Sequence, residues 1–482
     1  MNHNWRSCRA FRIRGGAALG PPNKSRSLAP LCPGVEVIGD SKLGLSLGGI
    51  TGREGAAGGR HATLLRASGL PSRYIQSVMK YAIIIPDGAA DEPLSELGGK
   101  TPIEAAHTPN MDRIAAMGRQ GTARTVPDGF ESGSDVATMC LLGYDPAVYH
   151  TGRAPLEAAA QRIPLAATDW VFRCNLVTTV AGIMKDHSAG GISNSQARQL
   201  LVDLAESLDT LAPLFAGFEF YNGVSYRNLL VYRGTQDFDL KTRPPHEIPE
   251  EPIEKHLPAG KGNEVLRQIM ERSADLFARH EINRARIAAG QRPATQVWLW
   301  GQGHAPNMPP FGKRFGVQSG CMITGVDLLR GLAVLLGWDV HEVDGMTSFH
   351  DTNYAGQGRE TAAMLERYDL VFSHVEAPDE ASHQADWKTK VAAIEHIDKH
   401  VVGPTLEKLR SYPDWRILVM PDHPTNIATR KHGYAPSPFV MAGTGVKNID
   451  TGPYSEKNAA AGVHLERGHE LMEYFLRGGQ CA

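Results

Sequence analysis

Residues 80–93 read KYAIIIPDGAADEP, and they predict a buried β-strand that ends at an acidic turn. The run from Tyr81 to Pro86 is rich in β-branched residues and carries no charge, as in a strand covered on both faces. Asp87 and Gly88 follow at once. Such strands are typical of parallel sheets with helices on both sides, so this stretch indicates an α/β domain.

Three further stretches repeat this pattern. Apolar runs at 296–300, 370–375 and 416–420 each precede a polar segment that contains Gly or Asp. Short strands that alternate with helical patterns are the signature of a mostly parallel sheet with helices on both faces. Ligands in open α/β sheets bind beyond the carboxyl ends of the strands. We therefore expect the four polar segments to converge.

The middle of the chain has a different texture. Residues 152–292 contain a strand-like run at 170–180, a turn at 185–191, and helical patterns at 195–208 and 263–289. Because the patterns on either side read as one α/β unit, we predict one domain from 79–151 and 293–475, with a second α/β domain, 152–292, inserted into it. Residues 1–78 are rich in Arg, Gly and Ser, and we expect a disordered or non-native extension there.

Composition narrows the functional classes. Residues 1–78 carry 11 Lys or Arg and 3 Asp or Glu, which leaves a net charge of −10 on the remainder of a chain whose total is −2. A mildly acidic body is poorly suited to nucleic acid, so we expect neither a nucleic-acid nor a membrane partner, and no stretch is apolar enough for a span. Scattered cysteines indicate reduced thiols in a cytoplasmic protein: Cys8, Cys32, Cys140, Cys174, Cys321 and Cys481.

The C-terminal third holds the residues that suit a metal site. Asp379 and His383 stand four apart on a predicted helix and so face the same side, while Asp422 and His423 follow an apolar run and His432 comes nine residues later. Carboxylate and imidazole together bind Mn²⁺, Zn²⁺ and related ions. Each residue alone has a structural reading as a helix cap or a turn residue. Together with Asp87 they indicate a binuclear centre.

A serine-containing turn precedes another predicted helix. Residues 130–138 read FESGSDVAT, with Ser132 and Ser134 on either side of a glycine. A serine at a helix N-terminus can be presented to a phosphate, because the backbone N–H groups there attract anions. The commoner use of such a serine is an ordinary helix cap. The segment alone leaves both readings open.

With these residues in view, the chain resembles the archaeal-type cofactor-independent phosphoglycerate mutases of the alkaline-phosphatase superfamily. The resemblance runs from about Met79 to about Phe475 and rests on long ordered motifs: IIIPDGAADEP (83–93), TPNMDRIAAMG (108–118), ESGSDVATMCLLGYDP (131–146), TGRAPLEAAA (151–160), WLWGQG (298–303), DTNYAGQG (351–358), HVEAPDEASHQAD (374–386) and MPDHPTN (420–426). It implies an alkaline-phosphatase-like core, mostly parallel, with a second α/β domain inserted.

The resemblance also implies a mechanism. Asp379, His383 and His432 would hold one divalent ion, and a second would be held by four residues: Asp87, Asp422, His423 and Ser134. We expect Mn²⁺ before Mg²⁺, Co²⁺ or Zn²⁺, and no 2,3-bisphosphoglycerate. The phosphoryl group of 3-phosphoglycerate would pass to Ser134 and return to the other glycerate oxygen, giving 2-phosphoglycerate.

The inserted domain would hold the substrate and exclude water. Arg153 and Arg173 are the expected anion-binding side chains, because guanidinium grips phosphate and carboxylate in bidentate fashion. Asn175, Asp186 and His187 are the expected contacts to hydroxyl groups. Each of the five also has a structural reading as a surface charge or a turn residue.

The chain departs from the family pattern in two places. His432 is followed by Gly433 where the family pattern has Thr, which affects the surroundings of that ligand, and the 78-residue extension has no counterpart. Other reactions on the same scaffold are alternatives: a homoserine kinase-like phosphotransferase or a metal-dependent phosphatase. The chain contains no GxxxxGK[ST] nucleotide loop. A catalytically dead scaffold is a further alternative, against which the complete ligand set counts.

Overall fold

The computed structural model describes residues 79–211 and 213–480, together with a two-residue strand, Arg14–Gly15. That strand pairs in parallel with Tyr221 and Asn222. The expectation of a disordered or non-native extension otherwise falls outside the described residues.

The larger sheet contains the predicted strand that precedes Asp87. The parallel strand Lys80–Pro86 lies between two others, Leu370–Val375 and Trp415–Val419. Only Ser437–Gly443 runs antiparallel to both of its neighbours, so the prediction of a mostly parallel sheet is confirmed. The eight strands follow one another across the sheet in this order: Asp339–Val340, Gly320–Ile323, Leu370–Val375, Lys80–Pro86, Trp415–Val419, Ser437–Gly443, Arg119–Ala123 and Val463–Leu465.

Both faces of this sheet are buried. Ile83 and Ile85 point into one apolar core, and Ala82 and Ile84 point into the other. The alternation follows from the two-residue period of a strand, and it explains why the sequence shows an unbroken apolar run rather than an alternating one. Helices cover each face, as predicted.

The second sheet is built on the predicted strand at 170–180, which forms as Trp170–Val180. The strand predicted at 296–300 forms as Gln296–His304, but it pairs antiparallel with Trp170–Val180. Its expected place beside the metal-site strands is therefore wrong. The cause is its side chains: Trp298 and Leu299 fill the core of the second sheet. The other strands of this sheet are Phe218–Asn222, Arg227–Tyr232, Ile183–Asp186 and Arg14–Gly15.

The helical pattern at 195–208 forms as Asn194–Asp209, but the single helix expected at 263–289 is two helices. The imidazole of His280 accepts from the backbone N–H of Ile282 and so starts the second one. None of the described helices combines the length and apolar character that a membrane crossing needs. The α-helices are Pro102–Ala105, Pro109–Met117, Ser134–Leu141, Pro146–Tyr149, Arg153–Ala160, Asn194–Asp209, Asn263–Phe277, Glu281–Ala288, Phe311–Phe315, Asp327–Leu336, Tyr354–Met364, Ala377–His383, Trp387–Ile397, Gly403–Leu409, Glu456–Ala460 and Leu471–Leu476.

One helix contact joins the two sheets. Helix Arg153–Ala160 packs through Ala154 and Ala158 under the second sheet, and Leu156 enters a core of the larger sheet. It also crosses helix Asp327–Leu336 at Gly331, where an added Cβ atom would lie 1.8 Å from the carbonyl oxygen of Leu156. Only glycine permits this approach.

We expect Gly331→Ala to destabilise the protein by about 1–3 kcal/mol, because the overpacked methyl group outweighs a gain in helix propensity of about 1 kcal/mol. The measurement is urea unfolding followed by circular dichroism. Gly403→Ala is the matched control, since the atoms nearest its methyl group would belong to the side-chain amide of Asn110, at 3.1 Å, and not to a backbone carbonyl. Equal stabilities for the two variants would contradict the close contact.

Candidate active site

Three neighbouring strand ends supply the site. Strands Leu370–Val375, Lys80–Pro86 and Trp415–Val419 are adjacent and parallel, so their carboxyl ends meet at one edge of the sheet. Asp87 follows the central strand, and Asp422 and His423 follow the third. Helix Ala377–His383 begins just after the first and carries Asp379. The predicted convergence is found for these three segments.

The first group of ligand atoms consists of Asp379, His383 and His432. The Asp379 carboxylate lies 3.1 Å from His383 Nε2 through one oxygen and 3.5 Å from His432 Nε2 through the other. The two Nε2 atoms are 3.1 Å apart. The structure thus brings these three predicted ligands together, and their role as metal ligands stays a prediction.

Backbone carbonyl groups fix the orientation of both imidazoles. His383 Nδ1 lies 2.9 Å from the carbonyl oxygen of Arg430, and His432 Nδ1 lies 2.8 Å from that of Ser132. Each carbonyl can only accept, so each Nδ1 carries the hydrogen and each Nε2 presents a lone pair. Two lone pairs that face each other beside a carboxylate require a proton or a metal ion between them.

The second group surrounds Asp87, and its side chains Asp87, Asp422 and His423 are fully buried. Oδ1 of Asp87 and Oδ2 of Asp422 both lie 3.6 Å from His423 Nε2. Neither oxygen has a hydrogen-bond partner. Buried carboxylate oxygens without partners cost free energy unless a cation neutralises them. The donor set of oxygen and imidazole fits a divalent ion.

Electrostatics points the same way. Burial and the nearby carboxylates of Asp422 and Asp379 raise the pKa of Asp87 well above its usual range. Carboxylates that lie together without a counter-ion hold protons instead. A divalent cation would reverse this effect and keep Asp87 ionised.

Ser134 belongs to this second group. It is the first residue of helix Ser134–Leu141, and its Oγ atom lies 3.1 Å from Asp87 Oδ2 and 3.3 Å from His423 Nε2. The hydroxyl of Ser132 instead donates to the carbonyl oxygen of Gly433 at 2.8 Å. The structure therefore separates two serines that the sequence left as competitors.

A cavity of about 390 Å³ adjoins the serine turn. Arg153 lines it, and its Nε atom donates to the buried carboxylate of Asp135 at 3.2 Å. An added Cβ atom on Gly133 would lie 2.8 Å from Arg153 Nη2, so this guanidinium reaches the residue next to Ser134. Trp300 and Gln302 of the second sheet also line this cavity.

The other predicted substrate residues are engaged within the protein. Arg173 pairs with Glu157 at 2.7 Å and lies over the ring of Trp300, 4.1 Å from its centre. Asn175 accepts from Trp300 Nε1 at 3.1 Å. Their contacts with substrate stay predictions.

Asp186 and His187 differ in their surroundings. Asp186 accepts from the backbone and hydroxyl of Ser188 at 2.7 and 2.6 Å, which fits its structural reading as a turn residue. The His187 ring lies 6.1 Å from that of His246. A substrate contact for either residue likewise stays a prediction.

Sequence reasoning missed several residues near the cleft. Burial and the guanidinium groups of Arg173 and Arg153 lower the pKa of His246 to about 4, which marks a positively charged pocket suited to an anion. His246 lies in a polar, proline-rich passage without a recognisable motif. His374 and Glu376 were also missed as site residues, although both lie inside the quoted motif at 374–386.

We expect the metal-free protein to lose stability as the pH rises from 7 to 9.5. The hydrogen bond to Asp379 raises the pKa of His383 to about 9, so the stability that this ion pair contributes is complete below about pH 6.5 and is lost as the pH rises through about 9. Thermal unfolding in a chelator measures the slope. His383→Gln should reduce it, and His464→Gln, which alters an exposed His–Glu pair, should not. Equal slopes for all three proteins would contradict the assignment.

Comparison with known proteins identifies the family. The profile of the 2,3-bisphosphoglycerate-independent phosphoglycerate mutase family matches residues 115–283. The chain is 47% identical over 402 residues to the Methanothrix thermoacetophila protein of that name. The alignment covers 83% of this chain and 100% of the relative. It is 43% identical over 404 residues to a probable enzyme of the same name from Geobacter sulfurreducens, with the same coverage.

Solved structures give the same result. A Pyrococcus horikoshii protein aligns with a TM-score of 0.67 and 25% identity over 84% of this chain and 99% of its own. The cofactor-independent phosphoglycerate mutase of Thermoplasma acidophilum aligns with a TM-score of 0.57 and 25% identity, over 83% of this chain and 100% of its own. The predicted family is confirmed: this chain belongs to the 2,3-bisphosphoglycerate-independent phosphoglycerate mutases, which are isomerases.

Proposed function

We propose that this protein interconverts 3-phosphoglycerate and 2-phosphoglycerate through a phosphoserine on Ser134, without 2,3-bisphosphoglycerate. One observation carries the proposal: the Ser134 hydroxyl lies within 3.3 Å of both a carboxylate and an imidazole of a buried ligand cluster. An ordinary helix cap would not need those neighbours. The names of the curated relatives favour the mutase over a kinase or a phosphatase.

Two divalent ions fit the ligand groups. Asp379, His383 and His432 would hold one, and Asp87, Asp422, His423 and the Ser134 oxygen would hold the other. Bound there, the ions would stabilise charge on the phosphoryl oxygens and lower the pKa of the serine hydroxyl. Three imidazoles beside carboxylates favour Mn²⁺ over the harder Ca²⁺.

The phosphoryl transfer needs no water molecule. Ser134 Oγ forms a bond to phosphorus as the bond between phosphorus and O3 of the glycerate breaks, and O3 gains a proton. The glycerate then reorients, O2 attacks the phosphoserine, and the bond to Oγ breaks. Ser134 regains its hydrogen, so substrate and product differ only in the position of the phosphoryl group.

Residues of the cleft would hold the glycerate between the two steps. Arg153 suits the phosphoryl group, because it reaches the serine turn and is tied to Asp135. Arg173 would bind the carboxylate through the guanidinium nitrogen that its two contacts with Glu157 do not use. Asn175, Asp186 and His187 would contact hydroxyl groups. The second sheet would exclude water, which would otherwise hydrolyse the phosphoserine.

We also propose that the protein works in the cytoplasm. Cys140, Cys174 and Cys321 are free and buried, which suits a reducing compartment. Glycolysis and gluconeogenesis, to which the proposed reaction belongs, also take place in the cytoplasm.

Ser134→Ala should reduce turnover by several orders of magnitude while the protein still binds 3-phosphoglycerate, because the carboxylate and imidazole ligands remain. The measurement is acid quench of enzyme with phosphate-labelled 3-phosphoglycerate, followed by peptide mass spectrometry. We expect label on Ser134 in the unsubstituted protein and none in Ser134→Ala.

Ser132→Ala is the matched control. Its hydroxyl contacts a backbone carbonyl rather than the ligand cluster, so we expect labelled Ser134 and a much smaller loss of turnover. Label on Ser132 or on a histidine, or normal turnover in Ser134→Ala, would refute the mechanism.

A further inference from the structure

A third group of ligand atoms lies beside Asp87, and neither proposed ion position uses it. Asp87, His374 and Glu376 each offer one ligand atom, and these atoms lie within 4.8 Å of one another. His374 is the penultimate residue of strand Leu370–Val375, and Glu376 comes two residues later. Glu376 has a helical backbone conformation at the N-cap of helix Ala377–His383, so the turn from strand to helix brings both side chains towards Asp87.

The imidazole of His374 is buried without a proper partner. Its side chain has no exposed surface, and its Nε2 atom lies 3.0 Å from Asp87 Oδ2 without the alignment of a hydrogen bond. Its Nδ1 atom lies 3.3 Å from the hydroxyl of Thr324.

Both tautomers of His374 leave Nε2 unsatisfied. If Nδ1 accepts from Thr324, the hydrogen on Nε2 points to no acceptor. If Nδ1 donates to Thr324, the lone pair of Nε2 faces a carboxylate with no cation between them. Buried polar atoms of this kind normally have partners, and their absence indicates a missing ligand.

Glu376 adds a second unpartnered atom. Its Oε2 atom is buried, lacks a hydrogen-bond partner, and lies 3.9 Å from His374 Nδ1. Two carboxylates and one imidazole whose ligand atoms lie within 4.8 Å of one another form a compact donor set for a divalent cation that accepts both oxygen and nitrogen.

We propose that Asp87, His374 and Glu376 form a third divalent-cation site. The site shares Asp87 with the second ion of the proposed function and rests on that function only through this shared residue. The carboxylate is placed to bridge, because Oδ1 lies 3.6 Å from His423 Nε2 and Oδ2 lies 3.0 Å from His374 Nε2. Mn²⁺ is a suitable probe for this donor set.

Metal counting tests the site. The full chain is stripped with chelator, equilibrated with Mn²⁺, freed of excess ion, and analysed for metal per chain by mass spectrometry. We expect three ions in the unsubstituted protein and two in Glu376→Gln and in His374→Ala. Glu376→Gln keeps the side-chain shape, so it decides the question even where His374→Ala fails to fold.

Glu380→Gln is the matched control, because it makes the same charge change on helix Ala377–His383 at a residue outside the three groups. We expect it to retain three ions. Two ions in the unsubstituted protein, or three in Glu376→Gln, would overturn the third site. Three ions in a protein that never labels Ser134 would instead contradict the proposed function and leave the third site standing.

Discussion

The arrangement of the site depends on repulsion among buried carboxylates. Asp87, Asp379 and Asp422 are nearly or fully inaccessible to water, and adjacent parallel strands deliver them to one edge of the sheet. Ionised carboxylates at such short range repel one another strongly in a poorly solvated environment. The protein meets this constraint with imidazoles whose lone pairs face the same space, and a set of that kind needs protons or metal cations to offset the repulsion.

Residues outside the ligand set hold the metal-ligand side chains in place. Backbone carbonyls of Arg430 and Ser132 hold His383 and His432 in one tautomer. The hydroxyl of Thr425 donates to Asp379 at 2.6 Å. These contacts reduce the free energy needed to organise the site on binding, because the ligand atoms already face the correct space. Gly433, which departs from the family pattern, bonds to Ser132 through its carbonyl oxygen, a contact that needs no side chain at 433.

Much of the site could be predicted from the sequence because its residues follow recognisable strand ends. The unbroken apolar run before Asp87 identified a strand buried on both faces, and the spacing of Asp379 and His383 placed them on one helix face. The run at 296–300 looked the same but belongs to the second sheet, since a continuous apolar strand fits either core. The break at 278–280 between two helices depends on His280, which caps the second helix, and helical periodicity does not reveal such a contact. Arg173 and His246 contact residues that are far from them in the sequence, so no local pattern predicts those contacts.

The central claim is that this chain moves a phosphoryl group within one substrate and does not pass it to water. The direct measurement is ³¹P NMR of the purified chain with Mn²⁺ and 3-phosphoglycerate, with no 2,3-bisphosphoglycerate present. The account predicts that 2-phosphoglycerate appears, that inorganic phosphate does not, and that chelation stops the reaction until Mn²⁺ is restored. Release of inorganic phosphate as the main product, or conversion that survives exhaustive chelation, would contradict it.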